Sequence, residues 1–176
     1  MTVVGVISDT HGSLHDKAYA ALADCDHIIH AGDVGNPSIL RELETLAPVT
    51  AVLGNNDFQE YGSEVQRFAR PTIEGVKFLV AHFPQDVRLK GLWGKSLLDP
   101  GDPIPDICIH GHTHEPRLEY GKDARPASYV LCPGSASYPR GGSKRSIAKI
   151  EIEHGFVLSI RIEDLAGNVV MCVGRK

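Results

Sequence analysis

The sequence has no excess of basic residues and no long apolar run. Its 176 residues carry a formal net charge of −4, which argues against a protein that coats a polyanion. No apolar stretch approaches the roughly 20 residues that a membrane-spanning helix needs, so we expect no membrane insertion. The first segment, MTVVGVISDTHG, lacks the basic region and the small-residue cleavage site of a signal peptide.

Cysteine is scarce, and the four cysteines show no CxxC spacing. Most of them lie in apolar segments, where a cysteine behaves as a small buried hydrophobic residue. We therefore expect a reduced, cytoplasmic protein. There is also no internal repeat, low-complexity tract or clear linker, and we expect a single domain over residues 1–176.

The first third of the sequence alternates between strand and helix patterns. TVVGVIS, DHIIHAG and PVTAVLG are short, β-branched, apolar runs typical of buried strands. A helix is predicted over SLHDKAYAALA with Ser13 as its N-cap, and a second helix begins at Asn36-Pro37. This order predicts an α/β fold with a parallel sheet.

The remaining sequence favours β-structure. Two strands around a Glu74-Gly75 turn are predicted within EVQRFARPTIEGVKFLVAH, and DICIHG forms another strand. RLKGLWGKSLL is predicted to be a helix, with Trp93 as a core or interface anchor. From Ala127 onward, four further strands are expected, with a tight turn at His154-Gly155.

Polar side chains follow five of the predicted strands, at the point where each strand ends. In open α/β sheets, ligands bind beyond the carboxyl ends of the strands, so these side chains are expected to converge. They are Asp9, His11, Asp33, Asn55, Asn56, Asp57, His82, His112 and His114.

This set offers oxygen and nitrogen ligands without thiolate, which suits Mn, Fe, Zn, Ni or Co. Without Asn56 and Asp57, the set contains seven candidate ligands, which are too many for one tetrahedral ion. Seven ligands fit two ions about 3.5–4 Å apart that share a carboxylate. Each fragment alone also has a structural interpretation: Asp33 as a turn residue, Asn55-Asn56 as turn chemistry, and His82 as a packed histidine. Their joint occurrence at strand ends favours the metal site.

The ordered segments SDTHG, HAGDVG, LGNND, VAHF and IHGHTH resemble the calcineurin-like metallophosphoesterase superfamily. The short chain and the segment PGSASYPRGG are similar to its small bacterial and archaeal phosphodiesterase branch. The resemblance implies a four-layer αββα sandwich, with two mixed β-sheets flanked by helices. It also implies two divalent ions, with Mn²⁺ as the first expectation and Ni²⁺, Fe, Zn²⁺ or Co²⁺ as alternatives.

The resemblance also implies a role for each ligand. Asp9, His11 and His114 would hold the first ion. The second ion would be held by Asn55, His82 and His112, and Asp33 would bridge the two.

Two positions depart from the superfamily pattern. Asn56 stands where many members have a histidine that assists the leaving group. An amide can donate a hydrogen bond, for example to a phosphate oxygen, but cannot act as a general acid, so good leaving groups should be favoured. Asp57 is expected to orient the loop or a ligand imidazole. His82 is followed by Phe83-Pro84 where the pattern usually has glycine, which leaves substrate identity open.

The resulting hypothesis is a metal-dependent phosphodiesterase, in which a water or hydroxide activated by two metals attacks phosphorus. Asp33 and Asn56 are its candidate catalytic residues. A phosphomonoesterase of the same fold and a metal-free protein-interaction scaffold are the alternatives. The expected partner is a small phosphodiester or phosphoester, with no stable nucleic-acid partner and a possible homo-oligomer. The segment PRGGSKR is either a solvated loop or a contact for the substrate phosphate.

Overall fold

The computed structural model describes residues 1–58, 61–91 and 93–174. Six strands form the first sheet, in the order β12-β11-β10-β1-β2-β3. They are β1 (Thr2–Ile7), β2 (His27–His30), β3 (Val49–Ala51), β10 (Ser146–Glu153), β11 (Phe156–Asp164) and β12 (Val169–Gly174). Strands β1, β2 and β3 are parallel, whereas β10 joins β1 in antiparallel register. The sheet is therefore mixed.

The second sheet has the order β4-β6-β7-β9-β8, with β5 paired to β6. Its strands are β4 (Phe68–Ala69), β5 (Thr72–Ile73), β6 (Val76–Ala81), β7 (Ile107–Ile109), β8 (Pro116–Tyr120) and β9 (Tyr129–Pro133). Strands β6, β7 and β9 are parallel, and β4, β5 and β8 are antiparallel to their neighbours. The first sheet thus has a parallel half that ends at the edge strand β3 and an antiparallel half, whereas the second sheet has a parallel centre and antiparallel edges.

The two sheets pack face to face around one apolar core. Val4 and Val6 of β1 meet Phe78 and Val80 of β6 and Ile109 of β7 in this core. Side chains alternate between the faces of a strand, so the outer face of the first sheet is also apolar. That face is covered by α1 (Asp16–Leu22) and α2 (Pro37–Glu44).

The outer face of the second sheet is covered by α3 (Pro84–Val87) and by neighbouring loop residues. The predicted α/β fold with two mixed sheets between helical layers is confirmed, although this second outer layer is thin. Within the described part of the chain, no helix has the length and apolarity required to cross a bilayer.

The start of α1 differs from the prediction. Ser13 does not cap this helix, because residues 11–14 form a loop in which His11 and Gly12 have positive φ angles of 46° and 83°. The N-cap is His15, whose side chain accepts a hydrogen bond from the backbone N–H of Lys17. The second helix begins as predicted, with the Asn36 side chain accepting from Ser38.

The predicted helix over RLKGLWGKSLL is wrong. Gly91 and Gly94 have φ angles of 77° and 55°, which interrupt helical backbone, and only a 3₁₀ turn remains at Lys95–Leu97. Leu92 lies outside the described residues. Trp93 is 67% exposed, so it is not a core anchor.

The β-structure also differs at two places. The predicted strand before Glu74 is divided into β4 and β5, with Arg70-Pro71 between them, because proline has no N–H to donate to a ladder. Strand β8 was not predicted. The hairpin at Glu74-Gly75 and the turn at His154-Gly155 form as expected, with positive φ at all four residues.

Candidate metal centre

All seven predicted ligands lie in loops that follow the carboxyl ends of β1, β2, β3, β6 and β7. Because the parallel strands of both sheets end at the same edge of the sandwich, the seven side chains come together there. Five of them have a left-handed backbone conformation, with φ angles between 46° and 68°: Asp9, His11, Asp33, His112 and His114. The other non-glycine residues with positive φ in the described ranges are Glu74 and His154, which precede glycines in hairpin turns.

Each left-handed residue costs about 1–3 kcal/mol of backbone strain and persists only where the surroundings enforce it. Five such residues lie at one edge of the fold. The surrounding structure therefore holds this cluster in place against the backbone strain of its members. Strain concentrated in this way is typical of functional sites.

The first group consists of Asp9, His11, Asp33 and His114. Each residue offers one ligand atom, and these four atoms lie within 4.8 Å of one another. Nε2 of His114 is 3.2 Å from Oδ1 of Asp9. It is also 3.2 Å from Nε2 of His11, which lies 3.6 Å from Oδ2 of Asp33. These four residues could therefore hold one metal ion.

The second group lies on the other side of Asp33. Nε2 of His82 is 3.4 Å from Oδ2 of Asp33 and 3.2 Å from Oδ1 of Asn55. Nδ1 of His112 is 3.0 Å from the same Asn55 oxygen. Asp33 therefore belongs to both groups, in the position that a bridging carboxylate would need.

The hydrogen bonds of two imidazoles point to a cation. Nδ1 of His82 lies 2.8 Å from the carbonyl oxygen of Ala31, and Nδ1 of His114 lies 2.5 Å from that of Tyr138. A carbonyl only accepts, so each Nδ1 carries the proton, and in a neutral ring Nε2 then presents a lone pair. Each Nε2 faces carboxylate oxygens, which also only accept.

Such facing lone pairs repel each other unless a proton or a metal ion lies between them. Oδ1 of Asp9 is buried and has no hydrogen-bond partner within the described part of the structure. A ligating histidine typically donates its other N–H to a carbonyl or carboxylate, as His82 and His114 do. The donor set therefore fits divalent cations.

Burial and neighbouring groups shift the pKa values of the acidic ligands in opposite directions. Burial raises the pKa of Asp9, despite the hydrogen bond from Ser8. For Asp33, burial also acts upward, but the interactions with His82 and Asn56 outweigh it and lower the pKa. Burial acts to lower the pKa of His82, but the interactions with Asp33, Asp9 and the Ala31 carbonyl outweigh it, so this pKa is raised.

Several supporting groups were not anticipated from the sequence. Ser8 donates to Oδ2 of Asp9 at 2.6 Å, and Ser135 donates to the Asp9 carbonyl at 2.9 Å. Ser135 also accepts from the backbone N–H of Tyr138 at 2.8 Å, which places the carbonyl that His114 uses. Ser135 and Tyr138 both lie in the segment PGSASYPRGG.

The two residues after Asn55 act on the loops around the ligands. Asn56 donates twice to Asp33, from its backbone N–H and from its side-chain amide, each at 2.8 Å. Asp57 accepts from the backbone N–H groups of Val34, Gly35 and Gly54 at 2.8–3.1 Å, so it orients the loop as predicted. The predicted contact of Asn56 with a phosphate oxygen stays a prediction.

The fold and this cluster together define a metallophosphoesterase-type protein. The chain matches the calcineurin-like phosphoesterase superfamily domain over residues 1–155. A probable metallophosphoesterase from Methanothermobacter thermautotrophicus is 37% identical over 150 residues, which cover 78% of this chain and 79% of the relative. The chain belongs to the calcineurin-like phosphoesterase superfamily, which supports a metal-dependent hydrolase of phosphoesters.

Solved structures with low sequence identity share the fold. Yfce, a phosphoesterase from E. coli, is 20% identical with a TM-score of 0.71, and 98% of each chain is covered. Vacuolar Protein Sorting 29 from Cryptosporidium parvum is 18% identical with a TM-score of 0.72, over 99% of this chain and 98% of that one. At these identities the likeness concerns the fold alone, and the activity has to be argued from the site.

Proposed function

We propose that the protein is a metal-dependent phosphodiesterase with two divalent ions, Mn²⁺ being the first to test. Asp9, His11 and His114 hold one ion, and the second is held by Asn55, His82 and His112. Asp33 bridges the two. This assignment is supported above all by the facing lone pairs of His82 and Asp33 and of His114 and Asp9.

When bound, such an ion pair lowers the pKa of a water molecule and neutralises charge on the phosphoryl oxygens. The protein itself contributes the geometry. The carbonyls of Ala31 and Tyr138 fix the tautomers of His82 and His114, so both rings present Nε2 to the centre. Ser8 keeps Oδ2 of Asp9 engaged, which leaves Oδ1 for the site.

Asn56 limits which esters can react. Its amide is held by Asp33 and carries no proton that can be given to a departing alkoxide. Esters with an acidic leaving alcohol should therefore react faster than simple alkyl esters. The preference for diesters over monoesters is supported by the resemblance to the small phosphodiesterase branch.

The test is metal removal with a chelator, followed by single additions of Mn²⁺, Ni²⁺, Zn²⁺, Co²⁺ and Mg²⁺. Hydrolysis of an activated aryl phosphodiester is compared with that of the matching monoester. We expect restored cleavage of the diester and much less of the monoester. Equal or faster monoester cleavage would favour a phosphomonoesterase, and neither metal binding nor hydrolysis would favour a metal-free scaffold.

Two variants link this activity to the cluster. Asp33→Asn and His112→Ala should each reduce metal-dependent hydrolysis by at least about 10–100-fold. His154→Asn is the control, because His154 lies in an exposed turn at φ 52° and asparagine tolerates that conformation. Unchanged hydrolysis in the first two variants would contradict the proposed site.

A further inference from the structure

Tyr138 is held at the edge of the metal centre by its backbone. Its N–H donates to Ser135 Oγ at 2.8 Å, and its carbonyl lies 2.5 Å from Nδ1 of His114. The ring lies edge-on to the ring of His11, with the centroids 5.7 Å apart and the planes at 73°. The ring position is therefore coupled to two of the proposed ligands.

Apart from its edge-on contact with His11, the Tyr138 side chain is largely uncovered. Tyr138 is 58% exposed, although the three residues before it, Ser135, Ala136 and Ser137, are buried. Its hydroxyl makes no hydrogen bond within the described ranges of the chain. An isolated exposed aromatic residue needs no explanation by itself. Here, however, the rigid backbone presents an uncovered ring directly beside a proposed ligand.

Three further residues near the centre are cationic or aromatic. The backbone N–H of Arg140 donates to the His114 carbonyl at 3.2 Å, and its side chain is exposed. On the other side of the centre, the Phe83 ring lies 4.7 Å from the ring of His112. Phe58, directly after the Asn55–Asp57 loop, is 74% exposed. The surroundings thus combine aromatic rings with an exposed cation.

We propose that Tyr138 determines specificity by stacking against a planar ring of the substrate, so that the preferred esters carry an aromatic or heteroaromatic group such as a nucleobase. This inference rests on the proposed phosphodiesterase function. An aromatic side chain suits the role because it offers a large rigid face with few rotatable bonds. Stacking of a base on an aromatic side chain changes affinity by about tenfold or more.

The test uses two inhibitors that share a phosphate and a ribose but differ in the base. Adenosine 5′-monophosphate and ribose 5-phosphate are measured as competitive inhibitors of aryl diester hydrolysis by the Mn²⁺-loaded protein. We expect the inhibition constant of the nucleotide to be about tenfold lower in the native protein. Tyr138→Leu should reduce this ratio to about two or less, whereas Tyr138→Phe, which keeps the ring, should retain it.

Tyr120→Leu is the matched control, because Tyr120 is also an exposed tyrosine, 53% accessible, and lies on β8. The ratio should be unchanged in this variant. A ratio near one in the native protein, or a ratio that Tyr138→Leu leaves unchanged, would overturn the stacking inference while the phosphodiesterase proposal stands. A native protein that hydrolyses no ester with any metal would overturn both.

Discussion

The side-chain amide of Asn56 donates a hydrogen bond to Oδ2 of Asp33 at 2.8 Å, and its backbone N–H donates to Oδ1 at the same distance. Both oxygens of the shared carboxylate are thereby held by one residue. Asn56 therefore orients Asp33, whatever further contact it makes with a substrate. This contact positions the Asp33 carboxylate and needs no acid–base chemistry of Asn56.

The first prediction concerns this contact. Asn56→Ala removes the side-chain hydrogen bond to Oδ2 of Asp33 but keeps the backbone hydrogen bond to Oδ1. The Asp33 carboxylate is then held less firmly in its orientation. We expect metal affinity or metal-dependent activity to fall by about 10–100-fold, measured by metal titration and by diester hydrolysis. Asn36→Ala is the control, because it removes an asparagine that caps α2 and should cost about 1 kcal/mol of stability without changing metal affinity. Equal metal affinity in both variants would contradict the role of Asn56.

The second prediction concerns the space beside Asp33. A Cβ added at Gly54 would lie 2.1 Å from Oδ1 of Asp33 and 2.3 Å from its backbone nitrogen. Gly54→Ala should therefore displace the carboxylate and reduce metal affinity at least as much as Asn56→Ala does. At Gly121 an added Cβ would meet no heavy atom within 4 Å, although φ is 62°, so Gly121→Ala should cost stability alone. Metal titration and thermal unfolding separate the two effects, and normal metal affinity in Gly54→Ala would refute the argument.

Much of the fold could be predicted because buried parallel strands leave a strong pattern. The runs TVVGVIS and DHIIHAG contain β-branched residues and end at polar side chains, and both β1 and β2 form there. Strand β8 could not be found in this way. Its sequence PRLEY begins with proline and is mostly half-exposed, so it lacks an apolar alternation. The helix predicted over RLKGLWGKSLL does not form, because Gly91 and Gly94 have positive φ angles.

The part of the candidate site that is formed by the metal-ligating side chains could be predicted from the sequence. The seven predicted ligands share an oxygen or nitrogen donor and a place at a strand end, and the structure brings these side chains together. The carbonyls of Ala31 and Tyr138 are different, because a backbone oxygen has no signature in the sequence. Ser8 and Ser135 are small hydroxyl residues of a kind common everywhere, and only the fold shows that they contact Asp9.

The third prediction concerns pH and stability. His30 is fully buried and shares hydrogen bonds with Thr10 Oγ1 and the Gly32 N–H, and burial lowers its pKa to about 4. In the unfolded chain its pKa returns to about 6.5, so between these values the unfolded state binds more protons. This contribution to stability is complete above about pH 6.5 and is lost as the pH falls toward 4, by about 3 kcal/mol in total.

His30→Leu removes the titrating group while keeping a buried side chain of similar size. We expect its free energy of unfolding, measured with urea on metal-free protein, to vary less between pH 6.5 and 4 than that of the native chain. His154→Asn is the control, because it replaces an exposed histidine outside the core by a residue that tolerates the positive φ of this turn. A native and a His30→Leu profile that run parallel over this range would show that His30 does not titrate as the structure implies.

The last prediction compares the stability of Asp9→Asn with that of the native chain, first without metal and then with Mn²⁺. Its carboxylate is buried, burial raises its pKa, and Oδ1 points at Nε2 of His114 from 3.2 Å without a hydrogen bond. In Asp9→Asn an amide N–H can occupy the position of Oδ1 and donate to that bare nitrogen. The other oxygen still accepts from Ser8 and from the His112 N–H. The free energy of unfolding of the metal-free variant should therefore be about 1–3 kcal/mol higher than that of the metal-free native chain.

Mn²⁺ should reverse this order. At a metal concentration of 1,000 times its dissociation constant, binding stabilises the native protein by about 4.1 kcal/mol, whereas the variant has lost an anionic ligand and gains much less. Thermal unfolding with chelator and with Mn²⁺ tests both halves of the prediction. If Asp9→Asn were less stable than the native chain without metal, the lone pairs around Asp9 would not be in conflict. The case for a cation at this position would then lose its main support.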